Sequence, residues 1–544
     1  MSGSAADADP TRGATSDRGE VAVSPPGDLV PDAGGSIQVA APGVERGRLR
    51  SVLRDRAEPL ALVGITALAA VLRFSTLNVQ SFDHDEAVTA ILVLHPSLVA
   101  TLGAVAHLER NPPLYYMLAW GWSKGFGTGQ DDLRLLSAIF GTLTVPAAFL
   151  AARELASRRA GLIAAALVAL NPFLIWYSQE ARSYALMVMF ATVGLFMFAR
   201  ARRVPSTTNL ALWALASMLA LLSHYFAVFV IVPEAVLLIA LTRARVRTMA
   251  AVAATAAVGL ALFPLAIVQQ SGRAASPFAT EGILERGWQI PVHFAASAEP
   301  PIPGSGAVGL LQVVAGIGEA AIALAAIAIL WRAGARDERR SALVVVGIAV
   351  AAFAVPIVLA AGGFDFVNAR NMIATLVPLL VALGIAFGCA RAGRLGIGAA
   401  AATCSLFAVV LIAVNLAPRM QRPDWRGAAQ AIGPAPASGM VVTPALGQVP
   451  ISSYLGAKRF KFGAQPMRVR NLDLLSKGLS TAPPPGGFRL VGESRVAQGR
   501  LWLRRFRSLR PVSVGPPVVP SSHLIAARAH RWHFVAPARL KNRG

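Results

Sequence analysis

The chain has 544 residues, of which 55% are hydrophobic and 15% are charged, and its mean hydropathy is +0.56. Soluble globular proteins carry about 25% charged residues, so this composition excludes an ordinary soluble domain. The net charge of +23 is concentrated at one end, because residues 418–544 hold 21 Lys and Arg against three acids. A basic segment beside a membrane suits anionic lipid or polymer better than nucleic acid, and we predict no nucleic-acid partner.

The N-terminal residues 1–45 are rich in Gly, Ala, Ser, Pro and Asp and contain no apolar core. Such a composition predicts a disordered segment. It offers no signal-peptide h-region, so we expect the first apolar run, 59–79, to act as the insertion signal. Five arginines lie between residues 46 and 56, and the positive-inside rule then places the N-terminus in the cytoplasm.

Ten further apolar runs approach the roughly 20 residues that a spanning helix needs. They lie at about 134–152, 161–177, 184–199, 208–223, 225–241, 248–268, 307–330, 341–360, 371–389 and 395–416. Arginine clusters separate alternate pairs of these runs, which places every cluster on the cytoplasmic side. The sequence thus predicts an all-α, multi-pass protein of the plasma membrane with about eleven spans and an extracytoplasmic C-terminus.

The remaining segments complete the domain prediction. The apolar segment 112–126 is about 15 residues long, and a crossing there would put all later arginine clusters outside; we interpret it as a juxtamembrane helix of the first outer loop. The membrane domain is then 46–417. Residues 418–520 mix Pro/Gly stretches with short β-like runs and predict a small extracytoplasmic α/β domain, followed by a basic, disordered tail at 521–544.

Three carboxylates, Asp83, Asp85 and Glu86, directly follow the first predicted span. Acids at a membrane boundary are costly to desolvate and usually face water or a functional cavity. A carboxylate can serve as general base toward an acceptor hydroxyl, so this is a candidate active site. The alternative is an N-terminal helix cap, for which the same acids are well suited.

Further polar side chains are expected on the same side of the membrane, in three separate loops and at the ends of the adjoining spans. They are Tyr115, Arg134, Glu180, Arg182, Tyr184 and Arg370. Arginine binds phosphate bidentately, so the set suits displacement of a phosphate leaving group. The alternatives are an interfacial ion pair of Glu180 with Arg182, snorkelling arginines at 134 and 370, and an aromatic belt that includes Tyr115. The two cysteines lie in apolar runs and indicate no metal site.

The order of these motifs along the chain carries a family resemblance. Asp85-Glu86 is followed by Asn111-Pro-Pro-Leu-Tyr-Tyr116, similar to His-Pro-Pro-Leu-Tyr-Tyr, and then by Arg134-Leu-Leu-Ser-Ala-Ile-Phe-Gly141, similar to Arg-Leu-Pro-Ser-Ala-Leu-x-Gly. The segment Asn171–Tyr184 comes next. Over about residues 57–200 the chain resembles the glycosyltransferase family 39-like group of bacterial GT-C membrane enzymes, which is related to protein O-mannosyltransferases and the lipid A aminoarabinose transferase.

This resemblance implies a GT-C fold and a polyprenyl-phosphate sugar as donor. It implies that Asp85 is the general base and that Glu86 helps to position the acceptor or a metal. The basic residues implied to hold the lipid phosphate are Arg134, Arg182 and Arg370. The resemblance implies no required cofactor, although a divalent cation such as Mg²⁺ or Mn²⁺ is possible because some relatives use one.

The chain departs from the family pattern at two places. Asn111 stands where histidine is common, which puts an acid/base role at that position in doubt. The additional acid Asp83 leaves open which first-loop carboxylate is the base. Glu180 is similar to a second-loop acid of the family, on a loose alignment.

The leading hypothesis is transfer of a mannose-like or arabinose-like sugar to an envelope glycan, lipid or protein on the outer face of the membrane, with inversion. A rival is a transporter or flippase of lipid-linked sugars, for which acids inside spans, such as Glu234 and Glu319, would speak. Against it, charged and aromatic residues concentrate at one boundary, and no inverted repeat is apparent. A third interpretation is a noncatalytic scaffold whose basic tail binds anionic polymer.

Overall fold

The computed structural model describes most of the membrane domain and parts of the C-terminal region. The described residues are 42–270, 282–296, 306–433, 439–443, 447–456, 460–462, 467–476, 484, 486–499, 501–514 and 533–537. The chain divides into two compact units, Met1–Asp55 and Arg56–Gly544. The predicted disorder of 1–45 falls outside the described residues up to position 41, and a helix begins at Pro42. Most of the predicted tail, 521–544, also lies outside them.

Helices dominate the described residues. They are α1 Pro42–Phe74, α2 His84–Leu92, α3 Leu98–Leu108, α4 Leu114–Phe126, α5 Gln130–Leu155, α6 Arg158–Leu170, α7 Pro172–Ser178, α8 Tyr184–Arg203, α9 Thr207–Ser223, α10 Val228–Leu241, α11 Arg245–Gln270, α12 Ile283–Ala296, α13 Gly306–Ala333, α14 Arg336–Ala361, α15 Leu376–Gly388, α16 Gly393–Leu416, α17 Trp425–Ile432 and α18 Gln448–Gly456. Short 3₁₀ turns lie at Tyr225–Ala227, Ala369–Thr375 and Pro418–Met420.

Each of the eleven predicted apolar runs coincides with helix. Among the described residues, 8 helical stretches are long and apolar enough to cross a membrane, and α6 with α7 makes a ninth if the pair is one span bent by 61°. The other two runs, α9 and Tyr225–Leu241, are apolar but shorter. The multi-pass helical class is confirmed, while the exact count of eleven is not. Helix α4, from the segment predicted to be juxtamembrane, is not among the candidate spans of the described part.

The bend between α6 and α7 follows from Pro172 and a buried arginine. Proline has no N–H, so the carbonyl of Val168 loses its helical partner. Arg73 of α1, fully buried, donates from Nη2 to that carbonyl at 3.1 Å and from Nη1 to the carbonyl of Ala169 at 3.0 Å. The Asn171 side chain caps the new helix by accepting from the Leu174 N–H at 2.9 Å. The bend thereby directs the chain after α7 back to the end of α1.

Close helix packing places the bundle around α6 and α15. A Cβ added at Gly388 would lie 2.6 Å from the Cα of Ala160, and one at Gly384 would lie 2.8 Å from the Cβ of Ala164. Two glycines four residues apart let helix backbones approach closely, as membrane helices require. The outward faces of peripheral helices are apolar; Leu260 of α11, for example, is 73% exposed, as expected of a side chain that contacts lipid.

The first loop, residues 75–129, folds into a compact cap that carries α2, α3 and α4. Its core is apolar and includes Phe82, Val105, Tyr115 and Tyr116, which pack with Ala181 from the loop after α7. Both tyrosines are fully buried. The cap is therefore packed into the protein rather than laid on its surface.

The C-terminal region contains a six-stranded sheet among its described residues. Its strands are β1 Gly439–Thr443, β2 Phe460–Phe462, β3 Met467–Ser476, β4 Arg489–Val496, β5 Leu501–Val514 and β6 His533–Pro537. Their order is β2-β6-β1-β3-β5-β4, with β1 and β3 parallel and the other pairs antiparallel. Helices α17 and α18 cover part of it through Trp425, Ile451 and Leu503. An α/β region follows the spans as predicted, and β6 lies inside the segment assigned to the tail.

The segment after α16 is tied to the start of the first loop. The Ser81 hydroxyl donates to the carbonyl of Pro423 at 2.8 Å and accepts from the N–H of Trp425 at 2.9 Å. The N–H of Phe82 donates to the hydroxyl of Tyr454 at 2.6 Å. These contacts bring the residues just beyond the last span against the predicted acidic site.

Candidate active site

Glu86 is the most enclosed of the first-loop acids. Its side chain is completely buried, and its carboxylate accepts five hydrogen bonds from the described residues. Two come from Arg134, at 2.7 and 2.6 Å, one from Arg422 at 3.0 Å, and two from the backbone N–H groups of Asp83 and Ala181 at 3.1 and 3.0 Å. Burial alone would raise the pKa of Glu86, but the two guanidinium groups lower it to about 2. A carboxylate with this many donors serves to hold loops together.

Arg134 is bound as completely as its partner. An arginine offers five N–H donors, and the three not directed to Glu86 go to the carbonyls of Leu77, Gln80 and Ser81 at 2.7, 2.6 and 3.0 Å. The side chain is 1% exposed. Arg134 therefore fixes the turn that leads into α2, and this arrangement leaves none of its donors for the predicted contact with a lipid phosphate.

Arg422, beyond the last span, joins the acids of two loops. It donates to Glu86 at 3.0 Å and to Glu180 at 3.0 Å, and its guanidinium lies 4.6 Å from the ring centroid of Trp176. Sequence reasoning misses this residue because it treats residues 418–544 as a uniformly basic segment. The available signal is its position directly after the last apolar run, where the chain is still close to the membrane boundary.

Asp85 differs from its neighbour in being accessible. Its side chain is 30% exposed and accepts from Nη1 of Arg370 at 2.9 Å, and the Arg370 side chain is 34% exposed. Burial would raise the pKa of Asp85, but Arg370 and then Arg182 outweigh it and lower the pKa to about 2. Asp85 is thus an ionised, solvent-accessible carboxylate of the first loop beside the partly exposed Arg370.

Arg182, in the loop after α7, forms a buried pair with Glu109 of the cap rather than with Glu180. Its two terminal nitrogens donate to the carboxylate oxygens of Glu109 at 2.5 and 3.0 Å, and Nη1 also reaches the backbone carbonyl of Asp85 at 3.4 Å. The hydroxyl of the buried Tyr115 lies 3.0 Å from that of Ser137, which in turn donates to the Arg182 carbonyl at 3.3 Å. Arg182 and Tyr115, both predicted as substrate ligands, are therefore engaged in contacts within the protein that hold together the start of α2, α5 and the loop before α8.

The remaining predicted site residues surround Asp85. Asp83 is the N-terminal cap residue of α2, and burial together with the charge of Asp85 raises its pKa. Tyr184 begins α8 and packs edge-to-face on Tyr177, with ring centroids 4.9 Å apart. Glu180 is buried and contacts Arg422. The structure thus gathers the predicted acids and arginines at one end of the bundle, as the sequence predicts.

The intramembrane acid Glu234 has a local partner. Its carboxylate accepts from the indole N–H of Trp213 at 2.8 Å, and both side chains are buried between α9 and α10. This pairing accounts for an acid inside a span without a transport pathway.

Comparison with known proteins agrees with the sequence resemblance. Residues 110–267 match the family model described as dolichyl-phosphate-mannose-protein mannosyltransferase. The ArnT structure from Cupriavidus metallidurans bound to undecaprenyl phosphate is 14% identical and superposes with a TM-score of 0.50, over 81% of this chain and 97% of that chain. No curated protein gives a significant sequence match. The chain has a GT-C fold similar to that of ArnT.

Two further solved structures are similar to parts of this chain. The apo ArnT structure from the same organism is 16% identical, with a TM-score of 0.49 over 81% of this chain and 97% of that chain. The Saccharomyces cerevisiae Pmt1-Pmt2 complex bound to the sugar donor is 20% identical, with a TM-score of 0.30 over 39% of this chain and 33% of that chain.

The described acids of the candidate site do not form a donor set suited to a divalent cation. Among the described residues, no three His, Cys, Asp or Glu side chains converge as a metal site requires. Glu86, which the family resemblance offers as a metal partner, has its oxygens occupied by Arg134 and Arg422. We therefore derive no step of the chemistry through a metal.

Glu180 predicts a pH dependence of stability. Burial raises the pKa of Glu180 to about 7, reinforced by Glu86 and Asp85 and opposed by Arg422. The folded protein then holds a proton that the unfolded chain releases near pH 4.5. This contribution to stability is complete below pH 4.5 and is lost as the pH rises through 7.

The melting temperature should accordingly fall between pH 4.5 and 7, and Glu180→Gln, which mimics the protonated acid, should flatten that part of the curve. Thermal unfolding in detergent across this range measures both slopes. An equal slope in the two proteins would show that Glu180 is ionised throughout.

Proposed function

We propose that this protein transfers a sugar from a polyprenyl-phosphate donor to a cell-envelope acceptor on the outer face of the plasma membrane. The GT-C fold and the family match over residues 110–267 support the class of reaction. The ArnT structure that it resembles was solved with undecaprenyl phosphate, which supports a donor of that lipid class. The observation that carries the proposal is the pairing of one accessible carboxylate, Asp85, with one partly exposed arginine, Arg370.

The proposed reaction is a single displacement with inversion. The acceptor oxygen forms a bond to the anomeric carbon while the bond from that carbon to the phosphate oxygen breaks. Asp85 accepts the acceptor's hydroxyl proton, and the polyprenyl phosphate leaves with the bonding electron pair. Arg370 offsets the negative charge that develops on the leaving phosphate. Asp85 is preferred to Glu86 because Glu86 is completely buried and its carboxylate already accepts five hydrogen bonds from the protein, whereas Asp85 is accessible.

Donor binding would also strengthen the base. A general base is most effective when its pKa lies near the working pH, and Arg370 holds the pKa of Asp85 at about 2 in the free protein. Once a phosphate shares the charge of Arg370, that lowering weakens and Asp85 becomes more basic. Asp85 is thereby most basic when the donor is in place.

Purified protein in nanodiscs, offered a panel of polyprenyl-phosphate sugars with an envelope extract, tests the proposal. We expect turnover of one donor, with mannose-like and arabinose-like sugars as the first candidates, and release of polyprenyl phosphate in equal amount. Boiled protein and nanodiscs without protein are the controls. Failure to turn over any donor of the panel would contradict the proposal and favour lipid-linked sugar transport.

A further inference from the structure

Arg370 reaches Asp85 from a segment that a mostly buried ion pair, Arg286 with Asp365, holds in place. Residues 362–371 comprise the connection after α14 and the first residues of the 3₁₀ turn Ala369–Thr375, and Phe364 in this loop is 64% exposed. Local bonds shape the turn: the N–H of Val367 donates to Asp365 at 3.2 Å, and the N–H of Arg370 donates to the Asn368 side chain at 3.0 Å. Such local bonds set the shape of the loop but not its position.

The position is set by Arg286 of α12. Its Nη1 and Nη2 donate to the two oxygens of Asp365 at 3.0 and 2.6 Å, and Nη1 also donates to the carbonyl of Val367 at 2.9 Å. The Arg286 side chain is 8% exposed, and that of Asp365 is 23% exposed. A bidentate arginine–carboxylate pair fixes both distance and orientation, which a single contact would not do.

The helix α12 is in turn held against the bend of the bundle. The carbonyl of Phe294, near its end, accepts from the Asn171 side chain at 2.9 Å, and the ring of Phe294 lies 5.2 Å from that of Phe173. The opposite face of α12 is apolar and open, with Trp288 65% exposed. One helix therefore connects the α6–α7 bend, which precedes the Glu180 loop, with the loop that carries Arg370.

We propose that Arg286 and Asp365 are positioning residues that hold the 362–371 loop so that Arg370 faces Asp85. This inference rests on the proposed transferase function for its effect on rate, but its structural part does not. Neither residue touches the reacting atoms; both act through Arg370. Without their pair, the loop keeps its local bonds, the packing of Phe366 on Phe226 at a ring-centroid distance of 5.4 Å, and the contact of Arg370 with Asp85. It loses the bidentate contact that fixes its orientation, so Arg370 no longer has one fixed approach to the donor phosphate.

A spin label tests the structural part without any substrate. Phe364→Cys in a protein whose two native cysteines, Cys389 and Cys404, are replaced by alanine gives one labelled site on the loop. In Arg286→Gln we expect narrower electron paramagnetic resonance lines, which report greater loop mobility, and in Arg286→Lys an intermediate width. Arg332→Gln, at an exposed arginine of α13, should leave the spectrum unchanged. An unchanged spectrum in Arg286→Gln overturns the proposal whatever the protein's activity.

Kinetics test the consequence for transfer. Misplacing a catalytic group by about 1 Å can cost roughly 100-fold in rate, so we expect Arg286→Gln and Asp365→Asn to lower kcat by up to about that factor. The exchanged pair, Arg286→Asp with Asp365→Arg, should recover at least tenfold of the loss. Additive losses in the exchanged pair would overturn the positioning role. If Arg286→Gln narrows the spin-label lines but the protein turns over no donor, the role of Arg286 in holding the loop stands and only the proposed transferase function is rejected.

Discussion

Asp85→Asn is expected to lower the rate of sugar transfer by about 10²–10⁴-fold, the range that a positioned general base contributes. The amide cannot accept the acceptor proton, while its size and its hydrogen bond from Arg370 are nearly retained. The ion pair that is lost is about one-third exposed on both sides, and such pairs contribute at most about 1 kcal/mol to stability. The melting temperature should therefore change little, so that the loss of rate reports chemistry rather than unfolding.

Two companion variants sharpen this test. Asp131→Asn removes an exposed acid from the first turn of α5 and should leave transfer unchanged. Asp83→Asn distinguishes the two open first-loop acids, because Asp83 caps α2 and is expected to lose far less activity than Asp85. Full activity in Asp85→Asn, or a larger loss in Asp83→Asn, would assign the base elsewhere.

Arg134→Gln is expected to lower the free energy of unfolding by about 3–5 kcal/mol, the cost of removing one partner from a buried ion pair. Glu86 would remain buried with only Arg422 as a cationic partner. The carbonyl of Ser81 would lose the bond from Arg134, and those of Leu77 and Gln80 would keep only the Gln130 side chain as donor. Thermal or denaturant unfolding in detergent measures the effect. The free energy of unfolding of Arg134→Lys should lie between those of the unchanged protein and Arg134→Gln, because an ammonium group keeps the charge but cannot make the paired contacts.

The matched control is an arginine–carboxylate pair with a similar N–O distance but an exposed arginine. Arg203 contacts Glu154 at 2.8 Å but is 68% exposed, so Arg203→Gln should change the free energy of unfolding by less than about 1 kcal/mol. Normal stability in Arg134→Gln together with weaker donor binding would contradict the structural role and return Arg134 to the phosphate ligands predicted from sequence.

The sequence predicts that acids and arginines gather at one end of the bundle, but it does not predict which acid pairs with which arginine. Asp85 and Glu86 are adjacent and chemically alike, and only the placement of α5 decides that Arg134 encloses the second rather than the first. Arg182 has Glu180 two residues away, yet it pairs with Glu109 of the first loop. Partners of this kind lie far apart in sequence, and no local pattern specifies them.

Other features were readable because their causes are local. The apolar runs predict the helices. The bend at Pro172, inside the single predicted run 161–177, is not among the predictions, although proline removes a helical hydrogen bond wherever it occurs. The number of membrane crossings is harder to predict from sequence. Helices α9 and α10 are short enough that apolar length alone does not decide whether each spans the membrane.

The bond between Arg422 and Glu86 joins residues 336 positions apart in the chain, and this separation matters for how the protein is made. At about 5–20 residues per second, a ribosome adds that length in roughly 15–70 s. Throughout this interval the newly inserted first loop has only Arg134, 48 residues downstream, to neutralise its buried acid. The cap thus gains the second cationic partner of Glu86 only after the last span has been synthesised.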